Sequence, residues 1–329
     1  MFEMLREQFF GKVVAPTQRL DGRTVIITGS NVGLGLHAAI HLARLNPARL
    51  ILAVRTPSKG ETARAQIAEQ ASFDLNRIHV WQFDLASFDS VKAFAKRCED
   101  DLDRLDVMVE NAAIATFGFK KTEDGWEESL QTNVLSTGLL GLLLIPLLRK
   151  TAKLPSPCPE SLGLKTHLTI VGSEVHGWAR FEEAKVPGST LDALNSPGHF
   201  YKTDRYNITK LLNMYLAHNL ARILEKDGVI VNVVNPGLCV SELRKEMSWV
   251  FGKMLDMAAR TAEDGSKNIA WAAVEDTSST AGAYISVCEI KSPAASLATQ
   301  QGQALQQKVW EEMCEVWKKI APQVAKDLA

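Results

Sequence analysis

The 329-residue chain carries almost no net charge, with 37 lysines and arginines against 38 aspartates and glutamates. That balance excludes the basic footprint of a nucleic-acid-binding domain at whole-chain level. Glycine (21) and proline (12) are too scarce for a collagen-like or low-complexity chain. Cysteine is scarce too: Cys98, Cys158, Cys239, Cys288 and Cys314 are odd in number, widely spaced and without a Cys-x-x-Cys pair. Free thiols in a reducing cytoplasm are therefore expected, not a disulfide framework. Long apolar runs are missing. Gly138–Leu148, GLLGLLLIPLL, covers 11 residues, whereas a membrane span needs about 20. It reads as a buried core helix, so no integral span is expected. The first residues, MFEMLREQFFGKVV, mix charges with apolar side chains and lack the apolar stretch of a signal peptide.

What is present is an alternation. Strand-like runs at Thr24–Gly29, Leu50–Arg55, His79–Asp84, Leu105–Asn111, His167–Ser173 and Val229–Asn235 are separated by helical patterns, with Ala283–Val287 as a seventh strand. The helical patterns run over Leu34–Leu45, Lys59–Ala71, Ser87–Leu102, Asp124–Lys150 and Lys202–Lys226. Near-continuously apolar strands alternating with helices predict an α/β fold, a doubly wound Rossmann-type parallel sheet of about seven strands covered on both faces. One catalytic domain over 24–295 is expected, between an N-terminal extension (1–23) and a C-terminal helical extension (296–329). Val309, Trp310, Met313, Val316 and Trp317 lie on one side of that last helix, as a packing helix requires. The stretches 174–205 and 238–262 interrupt the alternation and are expected to form substrate loops.

Three groups of residues carry chemistry. Thr28-Gly29-Ser30-Asn31-Val32-Gly33-Leu34-Gly35 follows the first strand and opens a helix. Glycines there let the backbone approach a pyrophosphate, and the helix N-terminus offers unpaired N–H groups. Arg55 ends the second strand, with Lys59 four residues on. Dinucleotide folds place at that strand end the residue that meets the adenosine ribose. A guanidinium suits a 2′-phosphate, which favours NADP(H). Tyr206 and Lys210 stand at i and i+4, so one helical face presents a phenol and an ammonium together. A nearby ammonium stabilises a phenolate, and Lys210 is expected to depress the Tyr206 pKa. No metal site is expected, because His37 and His41 sit on the helix after the glycine turn without the glutamate of a zinc-protease helix.

Taken in order, Thr28-Gly-x3-Gly-x-Gly35, Asp84-Leu85, Asn111-Ala112-Ala113, Asn133, Ser173, Tyr206-x3-Lys210 and Asn235-Pro236-Gly237 resemble the motifs of the classical short-chain dehydrogenase/reductase superfamily. SNVGLGLHAA, RTPSKGETA, MVENAA and RYNITKLLN look most like its retinol-dehydrogenase-like and fungal secondary-metabolism members. The likeness covers about Asp21 to Tyr284 and departs at Ala113, where the family usually has glycine. It implies Tyr206 as proton donor or acceptor, Lys210 as its tuner, Ser173 as a hydrogen-bond donor to the substrate oxygen, and Asn133 as support for a water relay. It further implies cofactor contacts at Gly29, Ser30, Asn31, Gly33, Leu34, Gly35, Arg55, Lys59, Asp84, Leu85, Asn111, Ala112, Tyr206, Lys210, Pro236, Gly237 and Ser241.

The expected reaction is NADP(H)-dependent interconversion of a ketone and a secondary alcohol on a bulky hydrophobic substrate. Trp178, Phe181, Phe200, Trp249, Phe251 and Met254 are candidate pocket walls. His176 and His199, also in the insertion, are expected to be surface or structural histidines. A redox-neutral dehydratase, epimerase or cyclase of the same fold is the alternative, and a non-enzymatic NADP(H)-sensing protein is a second. Partners are expected to be a hydrophobic carbonyl or alcohol and a second or further copies of the chain, as a homodimer or homotetramer. The amphipathic N-terminus, with Met4, Leu5, Phe9 and Phe10, packs on its own domain in this reading; a peripheral membrane contact is the other use open to it.

Overall fold

The computed structural model describes residues 2–161, 163–240, 259–280 and 282–328. Among the described residues, eight strands form one sheet: β1 (Thr24–Thr28), β2 (Arg49–Val54), β3 (Ile78–Gln82), β4 (Val107–Glu110), β5 (Thr166–Val171), β6 (Val229–Asn235), β7 (Ala283–Ser286) and β8 (Glu289–Lys291). Their order is β3-β2-β1-β4-β5-β6-β7-β8. All neighbours pair in parallel except β7 and β8. The chain runs outward from β1 in both directions, so the sheet has its switch point between β1 and β4, where open α/β sheets bind ligands.

The predicted fold class holds, with one strand more than expected. β8 is three residues long and two of them are exposed, so it lacks the apolar run that marks the others. It exists because Val287 and Cys288 both take positive φ (48° and 58°), which turns the chain back in a two-residue hairpin. The Cys288 N–H donates to Asn268 Oδ1 at 2.7 Å, which holds that unfavourable backbone in place.

The α-helices among the described residues are α1 (Phe2–Phe10), α2 (Gly33–Arg44), α3 (Pro57–Ala71), α4 (Phe88–Asp101), α5 (Glu128–Ala152), α6 (Thr190–Leu194), α7 (Arg205–Leu224), α8 (Ala262–Ala272) and α9 (Gln300–Ile320). Two cores result, one per face of the sheet. On one side α2, α3 and α8 supply Leu36, Ile40, Ile67 and Ile269. On the other, α4, α5, α7 and α9 supply Phe94, Leu139, Leu216 and Trp317. Helix α5 is long and apolar enough to cross a bilayer, but most of it is buried inside the protein. Helix α9 packs as its apolar stripe predicts. Trp317 is fully buried, donates its indole N–H to Leu135 O at 2.8 Å and meets Trp310 edge-on. Gly138 makes that approach possible: a β-carbon there would stand 2.3 Å from the Trp317 ring.

Candidate active site

The carboxyl ends of β1, β4, β5 and β6 lie side by side, and each delivers a polar segment. Thr28 closes β1 and organises the first two. Its hydroxyl accepts from the Asn111 and Ala112 N–H groups, both at 3.0 Å. The Asn111 amide donates in return to Thr28 O (2.9 Å) and Gly29 O (3.2 Å). Asn111 thus locks the glycine turn to the end of β4. Sequence reasoning had not singled out the Thr28 hydroxyl as the hub of this lock.

The three glycines have different reasons. Gly29 (φ +65°) lies against Ala112, whose Cα would stand 2.9 Å from any added β-carbon. The close neighbour at this turn is therefore Ala112, next to the Ala113 that departs from the family pattern. Gly35 passes Gly29 O and the Asn111 amide too tightly for a side chain. Gly33 (φ +58°) opens α2 and has nothing within 4 Å of a β-carbon position. A backbone that turns through Gly33 with open space above it, at a helix N-terminus, is what a pyrophosphate requires. Asn31 and Leu34 are half-buried beside it, while the buried Ser30 hydroxyl donates to Ile27 O and braces the turn from within. Arg55 immediately follows β2 and Lys59 sits in the first turn of α3, both exposed. Asp84 is half-buried with one carboxylate oxygen taken by the Ala86 N–H. Leu85 is in the core, so only its backbone is available to a ligand.

On the far side of the switch point, α7 brings Tyr206 and Lys210 to the end of β5. The Lys210 ammonium is buried and donates to Val171 O at 2.8 Å. It lies 5.5 Å from the centroid of the Tyr206 ring. Ser173 stands two residues past β5, and α7 packs against the turn that follows it. The Ser173 hydroxyl accepts from the Val175 N–H at 3.4 Å. Burial governs both titrating groups. It raises the Tyr206 phenol above its ordinary range and lowers Lys210 to about 8. The expected depression of Tyr206 is not seen in the protein alone, where removal of water from the phenol sets the direction of its shift.

Asn133 lies in a π-helical turn, Gln131–Leu135, of α5. Such a turn widens the helix and re-aims its side chains. The Asn133 Oδ1 accepts from the Ile114 N–H, and its amide donates to Ile114 O, both at 2.8 Å. The same amide group reaches Thr209 Oγ1 at 3.1 Å, and Thr209 donates to Tyr206 O. Asn133 therefore ties the loop after β4 to the helix that carries Tyr206.

Other expectations fared differently. Phe181, at a positive φ (50°), packs in the core among the side chains of the α4, α5, α7 and α9 face. Trp178 is 53% exposed. Phe200 meets Phe119 edge-on at 5.7 Å beside Arg205. His176 is structural: its Nε2 accepts from the Ala294 N–H, so its Nδ1 donates to Ser173 O. His41 contacts Glu263 O. Ser241, Trp249, Phe251 and Met254 lie outside the described residues.

Pattern reasoning missed a buried ion cluster directly before Tyr206. The Arg205 guanidinium is 3.1 Å from Glu183 Oε1 and 3.7 Å from Glu127 Oε2, and all three side chains are at most 1% exposed. It joins the insertion, the start of α5 and the first turn of α7.

The chain is similar to known proteins. The short chain dehydrogenase family profile matches residues 23–153. The short chain dehydrogenase/reductase dmxR8 of Cryptosporiopsis sp. is 36% identical over 326 residues, covering 97% of this chain and 98% of its own. The chain belongs to the short-chain dehydrogenase/reductase family. Two further relatives agree. The short chain dehydrogenase sol3 of Alternaria solani is 39% identical over 84% of this chain and 93% of its own, and the short-chain dehydrogenase/reductase ffsI of Aspergillus flavipes is 34% identical over 95% and 91%. Among solved structures, the Pseudomonas aeruginosa RhlG/NADP active-site complex superposes with a TM-score of 0.60 at 22% identity, covering 83% of this chain and 97% of that one. A short-chain type dehydrogenase/reductase from Mycobacterium marinum gives 0.61 at 17%, over 82% and 95%. These two show the shared fold. As a short-chain dehydrogenase/reductase, the protein is an oxidoreductase, of a family that uses nicotinamide cofactors.

Proposed function

We propose that this oxidoreductase uses NADP(H) to interconvert a ketone and a secondary alcohol on a bulky hydrophobic substrate, with reduction as its working direction. One observation carries the reading: Tyr206 and Lys210 share a face of α7, and the Lys210–Val171 bond holds that face against the end of β5, where Ser173 stands. A half-buried tyrosine whose phenol pKa is raised keeps its proton at neutral pH, which is the state a reductase needs in a proton donor.

The nicotinamide, when bound, supplies the hydride. Tyr206 gives its proton to the developing alkoxide, and the Ser173 hydroxyl donates a hydrogen bond to the same oxygen. Lys210, charged below about pH 8, stabilises the phenolate left behind. Asn133 fixes the height of Tyr206 through Thr209 and offers one lone pair to a water that returns the proton. The glycine turn and the α2 N-terminus would hold the pyrophosphate, with Asp84 at the adenine side. Arg55 and Lys59 are free to meet a 2′-phosphate, and the RhlG structure is an NADP complex. Since Arg55 and Asp84 lie past β2 and β3 and the acid–base pair lies past β5, a bound dinucleotide would have its nicotinamide end toward β5 and β6. Phe119 and Phe200 offer apolar surface next to Arg205 for a hydrophobic substrate.

The test is a screen of polycyclic and long-chain ketones with NADPH followed at 340 nm. Turnover that falls at least 100-fold in Tyr206→Phe supports the assignment. Product formed without consumption of NADPH, or activity confined to small polar carbonyls, overturns it.

A further inference from the structure

Helix α1 lies on the turn that follows β6. Gln8 uses both ends of its amide on one residue: Nε2 donates to Leu238 O and Oε1 accepts from the Leu238 N–H, each at 3.0 Å. That pattern copies a strand neighbour and holds the two peptide planes that flank Leu238, directly after Gly237. Gly237 takes φ +81°, and a β-carbon there would stand 3.0 Å from Gln8 Oε1, so helix and turn are fitted closely. Arg260 grips the same segment from the other side. Its N–H donates to Leu238 O (2.8 Å) and its carbonyl accepts from the Val240 N–H (3.0 Å). Its guanidinium donates to Glu7 O and to Gly11 O, at the C-terminal end of α1, where a cation is favoured.

A second line of bonds leads from α1 to the substrate side. Glu7 Oε2 accepts from Ser286 Oγ at 2.8 Å, and Ser286 Oγ accepts from the Asn235 amide at 3.3 Å. Asn235 Oδ1 in turn accepts from the Gly237 N–H (3.0 Å) and from the Glu174 N–H (3.3 Å), the residue after Ser173. Gly11 lets the chain leave α1 closely enough for this, since a β-carbon there would stand 2.5 Å from Val287. The extension is thus bonded, within two or three links, to the turn at the end of β6 and to the residue next to Ser173.

We infer that α1 is a built wall of the nicotinamide end of the cofactor site, with Gln8 and Glu7 as positioning residues that hold the Pro236–Leu238 turn in its cofactor-receiving shape. The inference rests on the proposed orientation of the cofactor, nicotinamide toward β5 and β6. The adenine half, received beyond β2 and β3, touches none of these bonds. Loss of the clamp therefore weakens the whole dinucleotide and spares its adenine half.

The experiment measures two dissociation constants by calorimetry, for NADPH and for adenosine 2′,5′-bisphosphate, on the full chain, on Gln8→Ala and on a chain lacking residues 1–12. Thermal unfolding reports the fold of each. Expected is a tenfold or greater weakening for NADPH in both variants, with the bisphosphate changed by less than twofold. Should the truncation not fold, Gln8→Ala decides alone. Unchanged NADPH affinity overturns the inference, and so does an equal loss for both ligands. If the full chain prefers NADH, the same comparison is made between NADH and ADP; a loss confined to NADH supports the wall and overturns only the 2′-phosphate reading. A full chain that binds no dinucleotide overturns both.

Discussion

Arg205→Met is the sharpest probe of how the site is held, because it removes a charge and keeps the chain length. At 3.1 and 3.7 Å from two carboxylates, the guanidinium gains about 5 and about 4.5 kcal/mol of gross attraction at an effective dielectric of 20. Desolvation takes back most of this. Burial pushes the Glu183 carboxyl up and the Arg205 guanidinium down, against the attraction between them. The net worth of the cluster is accordingly small, yet breaking it strands Glu127 and Glu183 without their cation. Such a loss costs about 3–5 kcal/mol. Glu183 limits the damage by taking up a proton, so the lower end, about 3 kcal/mol, is expected. The sign of the pH dependence follows. A stranded buried carboxyl has a folded pKa above its unfolded value, so its penalty is absent below the unfolded pKa. The penalty grows as pH rises toward the folded pKa. Urea unfolding followed by tryptophan fluorescence should show Arg205→Met gaining on the parent chain between pH 7 and pH 5. Adding Glu183→Gln should recover about 1–2 kcal/mol of the loss. A cost under 1 kcal/mol at pH 7, or a cost independent of pH, refutes the reasoning.

Three other outcomes follow from the same geometry. Gly138→Ala places a methyl where the Trp317 ring stands 2.3 Å away, and should lower stability by about 1–3 kcal/mol in denaturant unfolding, with a shifted tryptophan emission. For reduction, kcat/KM should fall as pH rises through about 8, where Lys210 loses its proton, while the raised phenol of Tyr206 stays protonated; a flat profile to pH 10 removes Lys210 from that role. Arg55→Asp should weaken NADPH binding by tenfold or more and leave NADH within a few-fold, measured by fluorescence titration; equal changes for both would deny contact with the 2′-phosphate.

Much of the fold was legible because local geometry writes it into the sequence. The six strands β1 to β6 appear within one or two residues of their apolar runs, since strands covered on both faces must be apolar throughout. β8 was not legible: three residues, two of them exposed, carry no period, and only the hairpin backbone at Val287 and Cys288 creates it. At the site, Tyr206 and Lys210 could be paired by counting alone, and the glycine turn by its place between strand and helix. The π turn at Asn133 could not, because an i→i+5 bond leaves no mark in composition. Phe181 lies among glycines and prolines, whose irregular backbone carries no period from which its place in the core could be read.

The sequence by itself determined the alternation of strand and helix, the phosphate-receiving turn and the one-turn spacing of phenol and ammonium. Each of these depends on residues within a few positions of one another, whose relation the backbone's own periodicity fixes. Tertiary structure alone decided that Gln8 reads the peptide at Leu238, 230 residues away, that Trp317 closes on Leu135, and that Arg205 shares itself between Glu127 and Glu183. Partners of that kind are chosen by which buried polar groups are left without water once the whole chain has packed, and no local period encodes that choice.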